Sequence, residues 1–479
     1  MKSQLFAQAI SAALLAASIV LGLATVVLAQ NDPKLPLSEN GGRRAIEPRA
    51  AGGTATAPAI ERSTDPAADL SNVNLTKKYP ELSPAWEKLE KNDRAGAVEI
   101  LKAAVAKTPT LPPVELLVAR FYLEQGNGPQ AIHELDEAAQ KHPQDPGAYL
   151  SLAGIALLQG RHTDGALLLE RTENLLAAMP DSHPRKKALT IVTNNQWANV
   201  HGRFERWEQA RDRLREVLKL DPENAMAHYR LATALFGLKK GQEGYAEFQA
   251  AYKKNSKLPT PPIAVVIYYQ RTNQPEAATK WMEFAEKEFG KDGPTRLFLG
   301  TAAWQRGQID ETKRHIAAAA AASPDSPEIQ LLQGVLAHYD GDLKTAEDKL
   351  KAAFKAAPKN LQVRDQLAKV LIQSADQASR EQALALAQQS AQMAQNDRDA
   401  IATLGWILYN AGKTDAAMQA MGAVTQGPMS GDTAYFVARV LVDQKRNDDA
   451  RKLLENALQG KTLFVHRPSA EKLLKQIKS

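Results

Sequence analysis

The stretch that decides the fold is GDLKTAEDKLKAAFKAAPKN (Gly341–Asn360), because it echoes GQIDETKRHIAAAAAASPDS (Gly307–Ser326), which lies 34 residues upstream. Both copies begin with Gly, place a small residue five positions later and an aliphatic residue four positions after that. Both continue in an Ala-rich stretch that ends at a Pro. A pattern that recurs at a fixed interval indicates that the chain is built from copies of one structural unit.

The small residue recurs along most of the chain, at intervals of 34, 34, 45, 34, 34, 34, 34, 37, 34 and 33 residues. The residue four positions later is mostly aliphatic or aromatic, and the residue seven positions later is small or β-branched. Spacings of three and four place these positions on one face of a helix. The small residues are Ala97, Ala131, Gly165, Ala210, Gly244, Ala278, Thr312, Ala346, Ala383, Ala417 and Ala450.

A partner helix is predicted before each of these helices, as in LGTAAWQRG (Leu299–Gly307) and LGWILYNAG (Leu404–Gly412). In several units a Gly stands between the two helices, where it can adopt a positive φ without steric cost. In several units a Pro follows the second helix and stops it. The glycines are Gly126, Gly160, Gly307, Gly341 and Gly412, and the prolines are Pro109, Pro143, Pro222, Pro324 and Pro358.

A 34-residue period, two helices per unit, a small residue at the helix crossing and a closing Pro resemble the tetratricopeptide repeat family over residues 78–463. The resemblance implies an all-α fold, a right-handed α-solenoid of about eleven helix-turn-helix repeats. Neighbouring units would bury each other's apolar faces. Residues 464–479 are predicted to form a C-terminal capping helix, because Leu473, Leu474 and Ile477 share one side of it.

The N-terminal segment is predicted to direct the chain out of the cytoplasm, as in an exported bacterial-type repeat protein. It carries one charge, Lys2, before an apolar run that reaches Ala29. Val27-Leu28-Ala29 suits cleavage by signal peptidase, which would leave a periplasmic or secreted protein. Alternatively, residues 5–29 stay attached and tether the protein to a membrane, since the run is long enough to span one. Residues 1–29 are therefore a signal peptide or an N-terminal membrane anchor.

Residues 30–77 are predicted to be a disordered Pro/Ala/Gly-rich linker. The stretch contains no Phe, Trp or Tyr. It therefore has too little apolar surface to offset the entropy lost on ordering. Its expected role is to hold the folded part away from a membrane or a partner.

The sequence argues against an enzyme, a cofactor, a metal and a nucleic acid. The chain has no Cys, and its nine His residues form no His-Glu-x-x-His motif. No nucleophile elbow, phosphate-binding loop or dinucleotide fingerprint occurs. The 60 basic and 54 acidic residues alternate along the chain, and no basic stripe carries interleaved aromatic residues.

By the resemblance, the first helix of each unit lines the inner surface of a superhelix, where a peptide or protein partner binds. Asn side chains can both donate to and accept from a peptide backbone, and aromatic rings supply contact area. The alternative is that the aromatic side chains simply pack between helices. The candidate partner-binding residues are Arg120, Asn195, Asn199, Tyr229, Phe236, Trp304, Trp406, Tyr409 and Tyr435, with Lys369 and Arg439 among them.

The predicted function is a non-enzymatic protein–protein interaction scaffold in the cell envelope. Two alternatives are a component of a machine for polysaccharide or protein secretion or envelope assembly, and a regulatory subunit of an envelope enzyme. These assignments rest on the analogy with exported repeat proteins.

The interval of 45 residues between Gly165 and Ala210 marks an insertion around Glu173–Thr190. We expect a longer loop there, since loops on a regular scaffold are common contact sites. Arg185-Lys186-Lys187 in this loop either meets an acidic partner or lipid headgroups, or is simply solvated.

Overall fold

The computed structural model describes residues 75–394, 396–425 and 427–478, which divide into two compact units. Unit 1 ends at Thr279 and unit 2 begins at Lys280. Every regular element within these ranges is a helix. The predicted export segment (1–29) and nearly all of the predicted linker lie outside the described residues.

Unit 1 begins with a helical turn and a 3-10 turn (Pro80–Leu82), and paired helices follow. Its helices are α1 (Leu75–Lys78), α2 (Ser83–Glu90), α3 (Arg94–Lys107), α4 (Val114–Glu124), α5 (Gly128–Lys141), α6 (Pro146–Leu158), α7 (His162–Ala178), α8 (Lys186–Arg203), α9 (Trp207–Leu220), α10 (Ala225–Gly237), α11 (Gly241–Lys254) and α12 (Pro261–Arg271). The next helix, α13 (Pro275–Phe289), contains the division between the units.

Unit 2 continues the same alternation and ends in a single helix. Its helices are α14 (Gly293–Gln305), α15 (Ile309–Ala322), α16 (Pro327–Tyr339), α17 (Leu343–Ala356), α18 (Leu361–Leu371), α19 (Gln377–Met393), α20 (Arg398–Asn410), α21 (Thr414–Val424), α22 (Gly431–Asp443), α23 (Asn447–Gln459) and α24 (Arg467–Lys478).

From α2 to α23 the described chain thus forms eleven consecutive helix pairs, as predicted. Within each unit, the two helices of a pair pack against each other, and in most pairs the second helix also packs against the first helix of the next pair. This arrangement is an α-solenoid in each unit. The predicted handedness remains a prediction.

The small residue is buried in every pair. The nine that are not Gly are at most 2% exposed, and both glycines are buried. A Cβ on Gly165 would lie 2.6 Å from Leu157 Cδ2, and one on Gly244 would lie 2.6 Å from Phe236 Cδ2. At these two pairs the crossing admits only a small side chain, as predicted.

The turn between paired helices uses one left-handed residue in ten of the eleven pairs. Five are the predicted glycines, with φ from 70° to 83°. The other five are not Gly and have φ from 54° to 61°: Asn92, Glu205, Lys239, Asn273 and Lys445. Asn adopts this conformation more readily than most residues, but Glu205, Lys239 and Lys445 carry no sequence signal for it. Because the same backbone conformation recurs with unrelated side chains, the packing of each pair imposes it.

The predicted long loop in the insertion is wrong, because the extra residues extend helices α7 and α8 and leave only residues 179–185 between them. Arg185 is 5% exposed, and its Nη1 donates to Asp145 Oδ2 at 2.5 Å. The Lys186 ammonium donates to Asp181 Oδ1 at 2.7 Å. Two of the three predicted loop cations are therefore paired within the chain, and Lys187 is exposed.

The first described helix begins at Leu75, three residues before the predicted start of the repeat region. Leu75 is buried in one cluster with Leu82 and Leu89. At the other end, Ala470 and Leu473 of α24 are buried against Leu454, as expected for a capping helix. Within the described ranges, no helix combines the length and the hydropathy needed to cross a membrane.

The left-handed turn can be tested with two Gly→Ala changes of opposite expected sign. Gly341 has φ +83° and no atom within 4 Å of the position that a Cβ would take, so Gly341→Ala should destabilise the protein through backbone conformation alone, by about 1–2 kcal/mol. Gly422 in α21 also has open space around a Cβ, and Gly422→Ala should stabilise the helix by about 0.5–1 kcal/mol. Thermal unfolding followed by circular dichroism measures both. Equal effects would show that the turn does not require Gly.

Candidate functional site

In unit 1, several polar atoms on the first helices α8 and α10 are buried without a hydrogen-bond partner. They include Asn195 Oδ1 and Gln196 Oε1 on α8 and Arg230 Nη1 on α10. Asn199 lies one helical turn after Asn195 and is half-buried. We call these four residues the unit 1 polar group. Buried amide and guanidinium groups are normally satisfied, so Asn195, Gln196 and Arg230 each have unused hydrogen-bonding capacity.

Arg230 is the least compensated member of the unit 1 polar group. Burial lowers the pKa of its guanidinium to about 10. No carboxylate contributes to this shift, in contrast to Arg213 on α9, which binds Glu173 and donates to Asn194 Oδ1 at 3.2 Å. Arg230 is half-buried, and its Nη1 is buried without a partner, so a ligand carboxylate that reaches this atom would satisfy it.

Tyr229 and Phe236, the predicted aromatic contacts on α10, are each 7% exposed. Their rings pack on Phe248 of α11, with centroid distances of 4.9 Å and 5.7 Å. Burial raises the pKa of Tyr229 to about 12. As core side chains they do not present the open ring faces that the prediction of partner binding required.

Arg120 on α4 is also less available than the sequence suggested. Its side chain is 12% exposed, and its Nε donates to Glu124 Oε1 at 2.7 Å. Its charge is matched on its own helix, one turn away. Arg120 therefore differs from Arg230 in having a carboxylate partner.

In unit 2, the predicted residues Trp406 and Tyr435 lie in one aromatic cluster with Phe436 and His466, which we call the unit 2 cluster. The Trp406 ring stacks on Phe436 with centroids 4.7 Å apart and planes 11° apart. Tyr435 stacks on His466 at 5.2 Å and 13°. Trp406 is 8% exposed, and its Nε1 has no hydrogen-bond partner. Tyr409 is half-buried and stacks on Trp406 at 5.8 Å.

Asp432 joins the unit 2 cluster to a buried lysine. Its Oδ1 accepts from both the backbone N and the Nδ1 of His466, at 2.9 Å and 2.8 Å. Its Oδ2 lies 3.6 Å from Nζ of Lys369, which is 6% exposed. Burial by itself raises the pKa of Asp432, but Lys369 and His466 outweigh burial and hold the pKa below its ordinary value. The carboxylate is therefore ionised and depends on both partners.

His338 and Trp304 lie at the margin of this cluster. The His338 ring is 5.1 Å from that of His466, and burial, reinforced by His466, lowers the pKa of His338 to about 3. Near pH 7 this ring is neutral. Trp304 is half-buried, and its ring meets Tyr339 edge-on at 5.5 Å.

The cleft near the start of unit 1, of about 610 Å³, is lined by several cations. These cations are neutralised within the chain: Lys141 lies 3.0 Å from Glu115 and Arg185 lies 2.5 Å from Asp145. The cleft thus offers no excess positive charge. Within the described part of the chain, no group of three or more His, Asp or Glu side chains is placed to hold a metal ion.

Sequence reasoning named Trp406, Tyr435 and Lys369 but missed Asp432 and His466. The available signal was the stretch TLFVH (Thr462–His466), which is apolar yet lies outside the repeat register. An apolar run without a repeat partner must be buried elsewhere in the fold.

Four segments of the chain match models of repeat families. Two models described as tetratricopeptide repeats match residues 88–153, and residues 195–259 with 299–360. A third, described as anaphase-promoting complex, cyclosome, subunit 3, matches residues 376–457. The matches fall on both units. No curated protein matches the sequence.

Many solved structures are similar to the chain. A thermophilic tetratricopeptide repeat protein of Thermus thermophilus is 17% identical, with a TM-score of 0.32, over 38% of this chain and 98% of that chain. Yeast Tom70 is 13% identical, with a TM-score of 0.30, over 84% of this chain and 96% of that chain. The Cut9–Hcn1 hetero-tetramer of APC/C is 13% identical, with a TM-score of 0.35, over 87% of this chain and 99% of that chain.

A pH-dependent stability effect is expected at Asp365, which lies one helical turn before Lys369 on α18. Burial raises the pKa of Asp365 to about 6, although Lys369 opposes the shift. Folding therefore favours the protonated carboxyl, and this contribution is complete below about pH 4 and lost as the pH rises through about 6. Asp365→Asn should stabilise the protein at pH 8 by about 1–3 kcal/mol and have little effect at pH 4.

Thermal or urea unfolding at the two pH values measures this difference. The matched control is Asp348→Asn, which changes an exposed carboxylate on α17 and should shift stability by less than about 0.5 kcal/mol. An Asp365→Asn effect that is the same at pH 4 and pH 8 would contradict the assignment.

Proposed function

The chain belongs to the tetratricopeptide repeat family, and from that premise we propose that it is a non-enzymatic scaffold that binds a peptide or protein partner through the unit 1 polar group. The partner contributes a carboxylate, from a side chain or a chain terminus, that pairs with Arg230. The amide side chains of Asn195 and Asn199 on the preceding first helix bind the partner's backbone.

The observation that carries this proposal is the buried, unpartnered Nη1 of Arg230. Elsewhere in unit 1, buried or half-buried arginines have carboxylate partners, as Arg185 has Asp145 and Arg94 has Glu134 at 2.6 Å. Arg230 therefore stands apart by the absence of an anion within the described residues. A guanidinium recognises a carboxylate through two parallel hydrogen bonds, which gives both affinity and orientation.

Arg230→Gln tests the carboxylate site. The change removes a half-buried guanidinium that has no carboxylate partner within the described residues, so the variant should fold and unfold at the same or a higher temperature. Peptides selected by the native chain from a library with free C-termini should lose at least about tenfold in affinity for the variant, since a charged hydrogen bond is removed. Isothermal calorimetry measures the affinity.

The matched control is Arg211→Gln on α9, where the guanidinium is partly exposed and pairs with Asp212 at 2.8 Å. This control should bind the selected peptides as the native chain does. If the Arg230→Gln variant binds the selected peptides as tightly as the native chain does, the proposed site is wrong. If both variants lose the same affinity, the loss comes from a general effect of charge.

The proposal places the folded part in the cell envelope, and the N-terminal sequence supports this location. A single Lys2, a long apolar run and Val27-Leu28-Ala29 fit an export signal or a membrane anchor. Cleavage should yield a mature chain that begins at Gln30, and Ala29→Asp should retain the segment, because signal peptidase requires a small residue there. Cell fractionation with mass spectrometry of the N-terminus measures the outcome. Full-length protein confined to the cytoplasm would contradict the location.

A further inference from the structure

The segment between the last helix pair and the capping helix folds back over the first helices of unit 2. Thr462–Phe464 has no regular secondary structure. The backbone N of Leu463 donates to the carbonyl O of Trp304 at 3.1 Å. Thr462 Oγ1 donates to the carbonyl O of Gln305 at 3.1 Å, across 157 residues of sequence. The segment therefore reaches from the eleventh pair back to the end of α14, the first helix of the seventh pair.

The far end of the segment is fixed by His466. Its backbone N and ring Nδ1 both engage Asp432 Oδ1 of α22. Its ring also contacts the rings of His338 of α16 and Trp406 of α20, with centroid distances of 5.1 Å and 6.3 Å. Asp432 in turn lies 3.6 Å from Lys369 of α18. Side chains or carbonyls from all five first helices of unit 2 thus meet the segment directly or through Asp432.

The apolar side chains of the segment are buried by this surface. Leu463 is 7% exposed and Val465 is 5% exposed. Val465 belongs to the same core cluster as Leu367 and Trp406. Gly307 is fitted to the segment, because a Cβ there would lie 2.4 Å from the carbonyl O of Lys461. Aliphatic side chains buried at alternate positions, with backbone N–H groups that donate to the underlying helices, are also how a peptide ligand lies in a groove.

The segment does not satisfy every buried polar atom on the first helices of unit 2. His338 Nδ1, Trp406 Nε1 and Gln366 Oε1 are buried and have no hydrogen-bond partner. Each lies on a first helix of unit 2, and the first two rings adjoin His466. The segment thus leaves His338 Nδ1 and Trp406 Nε1, whose rings it contacts through His466, without hydrogen-bond partners. Such groups favour a ligand that can satisfy them.

We propose that the first-helix surface of unit 2 is a peptide-binding site occupied in cis by Thr462–His466, and that its external ligand is an extended peptide of the same chemistry. That ligand has two aliphatic residues, two positions apart, followed by a residue that donates to Asp432. Such a ligand competes with a tethered segment whose effective concentration is on the order of millimolar. The cis segment therefore excludes weak ligands and admits only those that bind more tightly.

The first experiment measures binding of a fluorescein-labelled peptide of residues 460–467, GKTLFVHR, capped at both ends, to the full chain by fluorescence anisotropy. The native chain should bind it at least about tenfold more weakly than the double variant Leu463→Asp/His466→Ala, which weakens the cis segment. Circular dichroism checks that the double variant keeps its helicity. If it does not, the single variant His466→Ala replaces it in the same titration.

The second arm locates the bound peptide. Adding Asp432→Asn to the weakened chain should reduce peptide affinity by at least about tenfold, because the peptide His then loses its anionic acceptor. Asp443→Asn on the same helix is the matched control, since Asp443 is partly exposed and 3.6 Å from Arg439. It should leave the affinity unchanged. Equal binding by native and weakened chains, or no binding by a folded weakened chain, would overturn the proposal.

The third arm tests occupancy of the site without any added peptide. Because the chain has no Cys, Lys461→Cys carries a single bimane label. Trp304 should quench this label while the segment is seated, and His466→Ala should raise the fluorescence. Trp304→Phe in the labelled chain is the control that removes the quencher. If the labelled chain and its Trp304→Phe variant fluoresce equally, the segment does not occupy the surface.

Discussion

The close approach of two helices at a small residue is the constraint on which the structure depends. At Gly165 and Gly244 the facing side chain lies so near that a single added carbon would overlap it. Only this approach buries the residue four positions later, such as Leu350 or Leu454, which are fully inaccessible. Burying a Leu contributes about 1.5–3 kcal/mol, so each pair is held mainly by these contacts. A pair still leaves one apolar side open, and the next pair or the capping helix covers it.

This constraint is local and repeated, which is why the helix pairs could be predicted from sequence. Small residues and glycines at fixed spacing report helix crossings and left-handed turns directly. The turns at Glu205 and Lys239 carry no such signal, because the packing of the pair forces the backbone into a conformation that those residues do not prefer. The loop prediction for the insertion is wrong for a related reason. The extra residues of the insertion lengthen α7 and α8, which buries Leu175, Leu176 and Leu189. This burial stabilises the protein more than an exposed loop would.

The binding residues were less predictable, because a helical position fixes the direction of a side chain but not what covers it. Tyr229 and Phe236 are covered by Phe248 of the paired helix. Trp406 is covered by Phe436 of the next first helix and by His466, which lies outside every repeat. Only a three-dimensional structure brings His466 to Asp432. The same structure shows Arg230 Nη1 without a partner.

Arg230 and Asp432 pose the same electrostatic problem and solve it differently. A buried charge needs an opposite charge or several hydrogen bonds. Asp432 obtains both from within the chain, whereas Arg230 obtains neither within the described residues. The binding free energy of an external ligand at Arg230 therefore includes the whole of the new ion pair. At Asp432 a ligand first displaces His466, so its binding free energy includes only the difference between the two interactions. Two surfaces of one fold can thus differ in affinity for a ligand, because one is open and the other is covered by a segment of the chain that the ligand must displace.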